Sequence, residues 1–166
     1  MTEIAQIPET SGQNRLDAAA KIISSSIGWS AATGAIPIPL VDMAALAAVQ
    51  ANMISKISRL YGESLSTEAA RSIIAVMLGT LLPAGVANSF MRMSIKVLPG
   101  AGYLIGTASM MALSAAGTYA IGKVFIGHFE KGGTLSNFDP ESIKEQLKKE
   151  YDDAKLSGKG VAKTAA

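Results

Sequence analysis

Charged side chains are nearly absent from the middle of this chain. Only nine charged residues occur between Ile22 and Phe129, and the longest uncharged run extends over 26 residues, from Val97 to Gly122. That run exceeds the roughly twenty residues needed to cross a bilayer as a helix. It also contains Pro99 and five glycines, which interrupt a simple spanning helix. The sequence therefore predicts either a membrane-associated helical protein or a bundle whose helices are buried on all sides.

The composition favours an all-α fold of one domain. Hydrophobic residues make up 49% of the 166 residues but aromatic residues only 5%, so Ala, Ile, Leu, Val and Met dominate. Charged residues make up 17%, below the usual quarter. No basic stretch is interleaved with aromatic residues, which argues against nucleic-acid binding. The chain has no cysteine, which excludes disulfides, thiolate nucleophiles and zinc–cysteine sites.

Hydrophobic spacing and helix-boundary residues divide the chain into four parts. Two apolar helical hairpins are expected to form one domain, followed by a polar helix. Ser66 is the expected N-cap of the third helix, Gly62 the expected C-cap of the second, and Asp139 with Pro140 the expected start of the fifth. The predicted parts are a flexible lead at 1–14, the apolar domain at 15–133, the polar helix at 134–156 and a flexible tail at 157–166. The predicted helices cover about 16–33, 40–61, 67–82, 103–129 and 139–155, with a further piece at 84–97 after Pro83.

Both hairpins are expected to turn at corners made of apolar residues. The first corner contains Pro37 and Pro39, and the second contains Pro99 between Leu98 and Gly100. A residue before proline is pushed out of the helical region, so these segments are stiff and extended. Loops normally face water, and an apolar corner must therefore be covered by protein or lipid.

A row of alanines on the fourth helix predicts close helix packing. These residues stand four apart, so they share one helix face and allow another helix to approach, as small-residue ridges do in membranes and tight bundles. The row consists of Ala108, Ala112, Ala116 and Ala120.

No residue pattern predicts catalysis or cofactor binding. The segment from Gly100 to Gly106 nearly matches a dinucleotide fingerprint, but its last glycine is one position late and no acid follows at the required distance. His128 has no second imidazole or thiolate beside it and is expected to be structural. The methionines are spread along the chain and are expected to pack in the core rather than bind copper. We therefore expect no enzyme, no cofactor and no metal.

Asp42 allows two interpretations. It is the only charge between Lys21 and Lys56, and an ionisable group in an apolar helix is a functional candidate. The simpler interpretation, which we favour, is that Asp42 lies in the first turn of a helix and interacts with its backbone amides and dipole.

Several short patterns, taken in order, resemble the family called domain of unknown function 697. The first half matches over 36–62 and the second over 96–132, and together the resemblance covers about residues 16–133. The matching positions are Pro37, Pro39, Asp42, Gln50, Tyr61, Gly62, Lys96, Pro99, Gly100, Gly102, Thr118 and Gly122.

The resemblance implies a membrane-associated helical module that works beside a GTPase. The family is helical, and it occurs behind Era-like GTPase domains and in YcjF-type proteins of the bacterial inner membrane. This chain has no phosphate-binding loop of its own, so a GTPase partner would be a separate chain. The family supplies no catalytic residues.

Three functions stay open at this point. The first is a non-enzymatic module on the cytoplasmic face of the bacterial inner membrane, with lipid contacts from Arg92, Lys96 and Lys123. The second is a soluble helical scaffold that self-associates through its apolar surfaces. The third is a pore or transporter subunit with Asp42, Gln50 and Asn88 along the path. Self-association is expected for the helical scaffold and is compatible with the membrane module.

Overall fold

The fold is all-α. A computed structural model describes residues 9–33, 39–81 and 101–157, and for residues 9, 10, 33, 39–44, 67 and 101–110 it describes the backbone alone. No strand occurs in these ranges. The elements are α1 (Glu9–Thr33), α2 (Pro39–Leu60), α3 (Thr67–Leu81), α4 (Ala101–Glu130), a 3-10 turn (Leu135–Asn137) and α5 (Lys144–Ser157).

The first four helices run alternately up and down. Arg15 of α1 lies 3.4 Å from Glu130 at the end of α4, and the hydroxyls of Ser30 and Thr118 are hydrogen-bonded at 2.7 Å further along both helices. The two helices are therefore antiparallel. Tyr61, directly after α2, donates to the same Glu130 carboxylate at 2.5 Å, so α2 and α4 end side by side. The last helix, α5, packs across α3 and α4.

The core lies where α1, α2 and α4 approach most closely. A Cβ atom placed on Gly122 would lie 2.6 Å from Cγ1 of Ile23 and 3.5 Å from Sδ of Met53, so only glycine fits this crossing without rearrangement. The largest fully buried apolar side chains around it are Phe125, Met53, Ile54, Ile57, Ile74, Met77, Ile121, Leu147 and Val124.

The helix ends between α2 and α3 follow the predicted boundary residues. Ser66 accepts a hydrogen bond from the Ala69 amide at 3.2 Å, as an N-cap does. Gly62 has φ +80 and terminates α2, and the Glu63 amide reaches back to the Ser58 carbonyl at 2.8 Å. This is the hydrogen-bond pattern of a glycine-terminated helix.

Two helix starts differ from the prediction. The first helix begins at Glu9, so residues 9–14, expected in a flexible lead, are helical. The fifth helix begins at Lys144, five residues after the predicted cap at Asp139. The Asp139 carboxylate instead accepts from the Glu141 amide at 3.0 Å and holds a turn, and regular bonding starts with the Leu147 amide on the Ile143 carbonyl.

The fourth helix lies mainly between α1 and α5. Among the described residues, its contact with α3, the partner expected in the second hairpin, is small by comparison and includes Leu81 beside Gly117. The predicted piece at 84–97, which also belongs to that hairpin, lies outside the described residues. Of the predicted alanine row, Ala116 and Ala120 are buried in this packing and Ala112 is half-buried. The side chain of Ala108 lies outside the described residues.

Candidate functional site

Contacts between helices set the relative heights of their residues. Ile23, Met53 and Gly122 meet at one level, and Leu81 lies against Gly117, five residues along α4 from Gly122. A helix rises about 1.5 Å per residue, so every other residue can be placed above or below the Ile23–Gly122 level. Thr33, Pro39, Leu81 and Ala101 then all lie towards the same end of the bundle.

Charge is segregated along this axis. We call the end containing residues 22–33, 39–55, 72–81 and 101–122 the apolar end; Asp42 is the only charged residue in these ranges. Asp42 lies in the first turn of α2, where a negative charge suits the helix dipole. The remaining charges of α1 to α4 lie at the opposite, charged end.

The first charge below the apolar end is positive on each of the four helices. We call these residues the basic belt; they are Lys21, Lys56, Arg71 and Lys123. All four side chains are exposed. Counted from the Ile23–Gly122 level, they lie within about 8 Å of one another along the bundle axis.

Large apolar side chains are exposed at the apolar end. Trp29, the only tryptophan, is 67% exposed, and Leu113 of α4 is 37% exposed. Trp29 follows Lys21 by two steps of four residues, so the two share one outer face of α1. Val76 of α3, 40% exposed, lies near the level of Gly122, but it shares a surface groove with the charged residues Glu141, Lys144 and Lys148.

At the charged end, Tyr61 joins three helices. Its hydroxyl donates to Glu130, its ring stacks on Phe129 with centroids 5.1 Å apart, and the Arg15 guanidinium lies 4.8 Å above the ring. Burial, followed by the hydrogen bond to Glu130 and its negative charge, raises the pKa of Tyr61 to about 12. The phenol therefore stays neutral and serves as a donor.

His128 is held structurally beside this cluster, as expected. Its Nε2 lies 2.9 Å from the Thr134 carbonyl, to which an N–H at that nitrogen donates. Its ring contacts Phe138 edge-on at 5.0 Å, and Phe138 stacks on Phe125 at 4.3 Å. The histidine thereby ties the segment after α4 to the core.

Two of the predicted motif residues bring polar groups into the interior of the apolar end. The Thr118 hydroxyl bonds to Ser30 and lies 2.9 Å from the Ser114 carbonyl. Gln50 is fully buried, and among the described residues neither its amide nitrogen nor its amide oxygen has a hydrogen-bond partner. Gln50 is therefore a site of high desolvation cost.

The remaining predicted residues are distributed over the whole length of the bundle. Tyr61 and Gly62 lie at the charged end and Gly122 at the helix crossing, so the structure does not gather the motif into one pocket. Pro39, Asp42 and Gly102 lie in the first turns of their helices, with side chains outside the described residues. Pro37, Lys96, Pro99 and Gly100, together with Pro83, Asn88, Arg92 and the helix piece at 84–97, lie outside the described residues altogether.

Sequence reasoning missed the belt and Trp29. It singled out Lys123 for lipid contact but not Lys21, Lys56 or Arg71. A usable signal was present, since each of these is the charge that borders an uncharged helical run. Their common height could not be read from the sequence, because it depends on the packing of Ile23 and Met53 against Gly122.

Two searches of the described ranges gave negative findings. Among the residues whose side chains the structure describes, 11–32, 45–66, 68–81 and 111–157, no helix combines the length and hydropathy of a membrane span. In those same ranges no three His, Asp or Glu side chains are grouped so that they could hold a metal ion.

Comparisons with known proteins gave a family and a relative. The model of the family described as Domain of unknown function (DUF697) matches residues 2–155. The sequence is 31% identical over 166 residues to Magnetosome membrane protein 22 of Magnetospirillum gryphiswaldense, an alignment that covers 99% of this chain and 84% of that protein. No solved structure matches the chain.

Proposed function

The chain belongs to the family of domains of unknown function called DUF697, and on this premise we propose that it is a non-enzymatic, membrane-associated helical module. The observation that carries the proposal is the segregation of charge. Four helices from distant parts of the sequence direct segments that contain only one charged residue, Asp42, to one end of the bundle. An end with exposed Trp29 and Leu113 and one acid in its four ranges suits lipid better than water.

The apolar end is long enough to enter one leaflet. Beyond the basic belt, α1 continues for about 18 Å to Thr33 and α3 for about 15 Å to Leu81. The other two helices are longer, since α2 continues for about 26 Å to Pro39 and α4 for about 33 Å to Ala101. Half of a bilayer's hydrocarbon core is about 15 Å thick. The apolar parts of α1 and α3 therefore match the depth of one leaflet, and those of α2 and α4 reach beyond the bilayer midplane.

The location we propose is the cytoplasmic face of the bacterial inner membrane. The printed name of the relative, Magnetosome membrane protein 22, supports membrane association, and the family resemblance supports the inner membrane. Fractionation of cells followed by an alkaline carbonate wash tests this. Recovery in the washed membrane pellet is expected; recovery in the soluble fraction before any wash would contradict it.

We further propose that the protein acts with a separate GTPase. The support is the resemblance to a family whose members occur behind Era-like GTPase domains. Affinity purification of the tagged protein after cross-linking, followed by mass spectrometry, should recover a GTPase in the presence of GTP. Recovery of none from cross-linked cells would count against this partner and would leave the membrane proposal standing.

The direct test is vesicle flotation of the full chain. The protein should float with phosphatidylcholine/phosphatidylglycerol vesicles, and the emission of Trp29 should shift to the blue as its ring leaves water. Because Trp29 is the only tryptophan, the signal reports the apolar end alone. Protein that stays at the bottom of the gradient, with unchanged emission, would overturn the proposal.

A matched pair of leucines locates the inserted end. Leu113 is 37% exposed at the apolar end, and Leu156 is 88% exposed on α5. Leu113→Glu should weaken flotation, because a carboxylate would have to enter hydrocarbon, whereas Leu156→Glu should not. Equal effects of the two changes would show that the apolar end is not the inserted part.

Vesicle flotation of the full chain also distinguishes the membrane-associated module from the alternative of a self-associating scaffold. In that case the apolar end would be covered by a second copy rather than by lipid. The chain would then form a defined oligomer in the absence of detergent and vesicles, and Leu113→Glu would dissociate it. Monodisperse oligomers that do not bind vesicles would favour the scaffold.

A further inference from the structure

The basic belt has a geometry that its individual lysines and arginine do not reveal. Each member comes from a different helix, yet the contacts of Ile23, Met53 and Leu81 with α4 bring all of them to one height within about 8 Å. The belt therefore surrounds the bundle at the border between its apolar and charged ends.

The belt cations carry no described ion pair. On α5, Lys144 and Lys148 are each paired with a glutamate one turn before them, and at the charged end Arg15 is paired with Glu130. No such partner occurs for the belt among the described carboxylates. The nearest acids in sequence to Lys21 and Arg71 are Asp17 and Glu68, which lie about one turn further from the apolar end. The nearest to Lys56 and Lys123 are Glu63 and Glu130, which lie about two turns further from it. The four charges are thus available to an external anion.

We propose that the basic belt binds the phosphate headgroups of anionic phospholipids in the bilayer that receives the apolar end. This rests on the proposed function and adds the class of lipid and the depth of insertion. With the belt at headgroup level, Trp29 lies about 12 Å deeper along α1, below the phosphates.

A bilayer fits the belt better than a free phosphate does. One small anion contacts at most one or two of four cations that point outward from four helices. A plane of headgroups meets all four at once, because they share one height. Cations near an anionic surface each strengthen binding about fivefold, so four give an expected preference of several hundredfold at low salt.

The test compares two variants of equal charge. The belt variant combines Lys21→Gln, Lys56→Gln, Arg71→Gln and Lys123→Gln. The control variant neutralises four cations of the C-terminal part of the chain, by Lys131→Gln, Lys149→Gln, Lys155→Gln and Lys163→Gln. Each lowers the net charge from +2 to −2, since four positive charges are removed. Circular dichroism shows whether both remain folded.

Binding is measured by Trp29 emission on vesicles of phosphatidylcholine with and without 30% phosphatidylglycerol. We expect the wild-type chain to prefer the anionic vesicles at least a hundredfold and the belt variant to lose most of that preference. The control variant should lose less than tenfold. Raising the salt concentration should abolish the preference of the wild-type chain, because surface charge is screened.

Five results would overturn the belt proposal. Equal losses in both variants would mean that only net charge matters. A belt variant with wild-type preference would mean that other cations bind the lipid. Displacement by millimolar inorganic phosphate, but not by sodium chloride of equal ionic strength, would mean a free-phosphate site. Equal binding to neutral and anionic vesicles would remove the belt's role but keep the membrane function, whereas absence of binding to either would remove both.

Discussion

Substitution of Gly122 by alanine tests the helix crossing on which the register of the bundle depends. A Cβ atom at this position would lie 2.6 Å from Cγ1 and 2.7 Å from Cδ1 of Ile23, roughly 1 Å inside an ordinary carbon contact. Overpacking of this kind costs about 1–3 kcal/mol. Alanine also favours the helix by about 1 kcal/mol over glycine, so the net expected effect ranges from neutral to a loss of about 2 kcal/mol.

Gly79 provides the matched control. It lies inside α3, is exposed, and a Cβ atom there would have nothing within 4 Å. Gly79→Ala should therefore gain the helix preference alone and raise the free energy of unfolding by up to about 1 kcal/mol. The two alanine variants should differ by about 1–3 kcal/mol in urea unfolding followed by circular dichroism, with unchanged dependence on denaturant.

A double-mutant cycle with Ile23→Ala identifies the source of the difference. Ile23→Ala alone should cost about 2–5 kcal/mol by leaving a cavity. In that background the clash is gone, and Gly122→Ala should then stabilise the protein as Gly79→Ala does. An unchanged effect of Gly122→Ala in the Ile23→Ala background, or equal stability of the two single glycine variants, would refute the close approach of α1 and α4.

Three further predictions concern single side chains. Tyr61 should ionise near pH 12. Because its pKa is raised in the folded state, its contribution to the free energy of unfolding is present below pH 10 and is lost as the pH rises from about 10 to 12. Tyr61→Phe should therefore flatten this alkaline loss of stability and remove one phenolate that forms at high pH from the absorbance titration. Gln50→Met should raise the free energy of unfolding by about 1–3 kcal/mol, because it removes a buried amide without hydrogen-bond partners. Destabilisation in urea unfolding would instead show that the amide is hydrogen-bonded. Ser66→Ala should lower the free energy of unfolding by about 1 kcal/mol through loss of the helix cap, whereas Ser64→Ala, at an exposed position, should change it little. Equal effects of the two substitutions in thermal unfolding would rule out capping by Ser66.

The sequence was most informative where one residue type dictates local geometry. Gly62 and Ser66 mark the ends of α2 and α3 because a positive φ and a capping hydroxyl are local requirements. The predicted membership in the domain of unknown function 697 family is also confirmed, since motif order and spacing are properties of the sequence itself.

The starts of α1 and α5 were harder to predict. Residues 9–14 have no apolar periodicity to indicate a helix, and their extension of α1 leads into Arg15, whose partner Glu130 is remote in sequence. Asp139 has the side chain of a cap but uses it for a turn, an alternative open to any aspartate.

The candidate surface could be predicted only in part. Scarcity of charge in the middle of the chain is visible in the sequence, and it indicated an apolar surface. The alignment of Lys21, Lys56, Arg71 and Lys123 at one height depends on interhelical packing, which periodicity along a single helix does not specify.

The contact between α1 and α4 also determines the order in which the chain can fold during synthesis. Ser30 and its hydrogen-bond partner Thr118 are 88 residues apart in the sequence, and Tyr61 and Glu130 are 69 residues apart. Contacts of such long sequence separation close late, because the intervening loop must first be ordered. The apolar residues of α1 that face α4 therefore lack these partners until most of the chain has been synthesised.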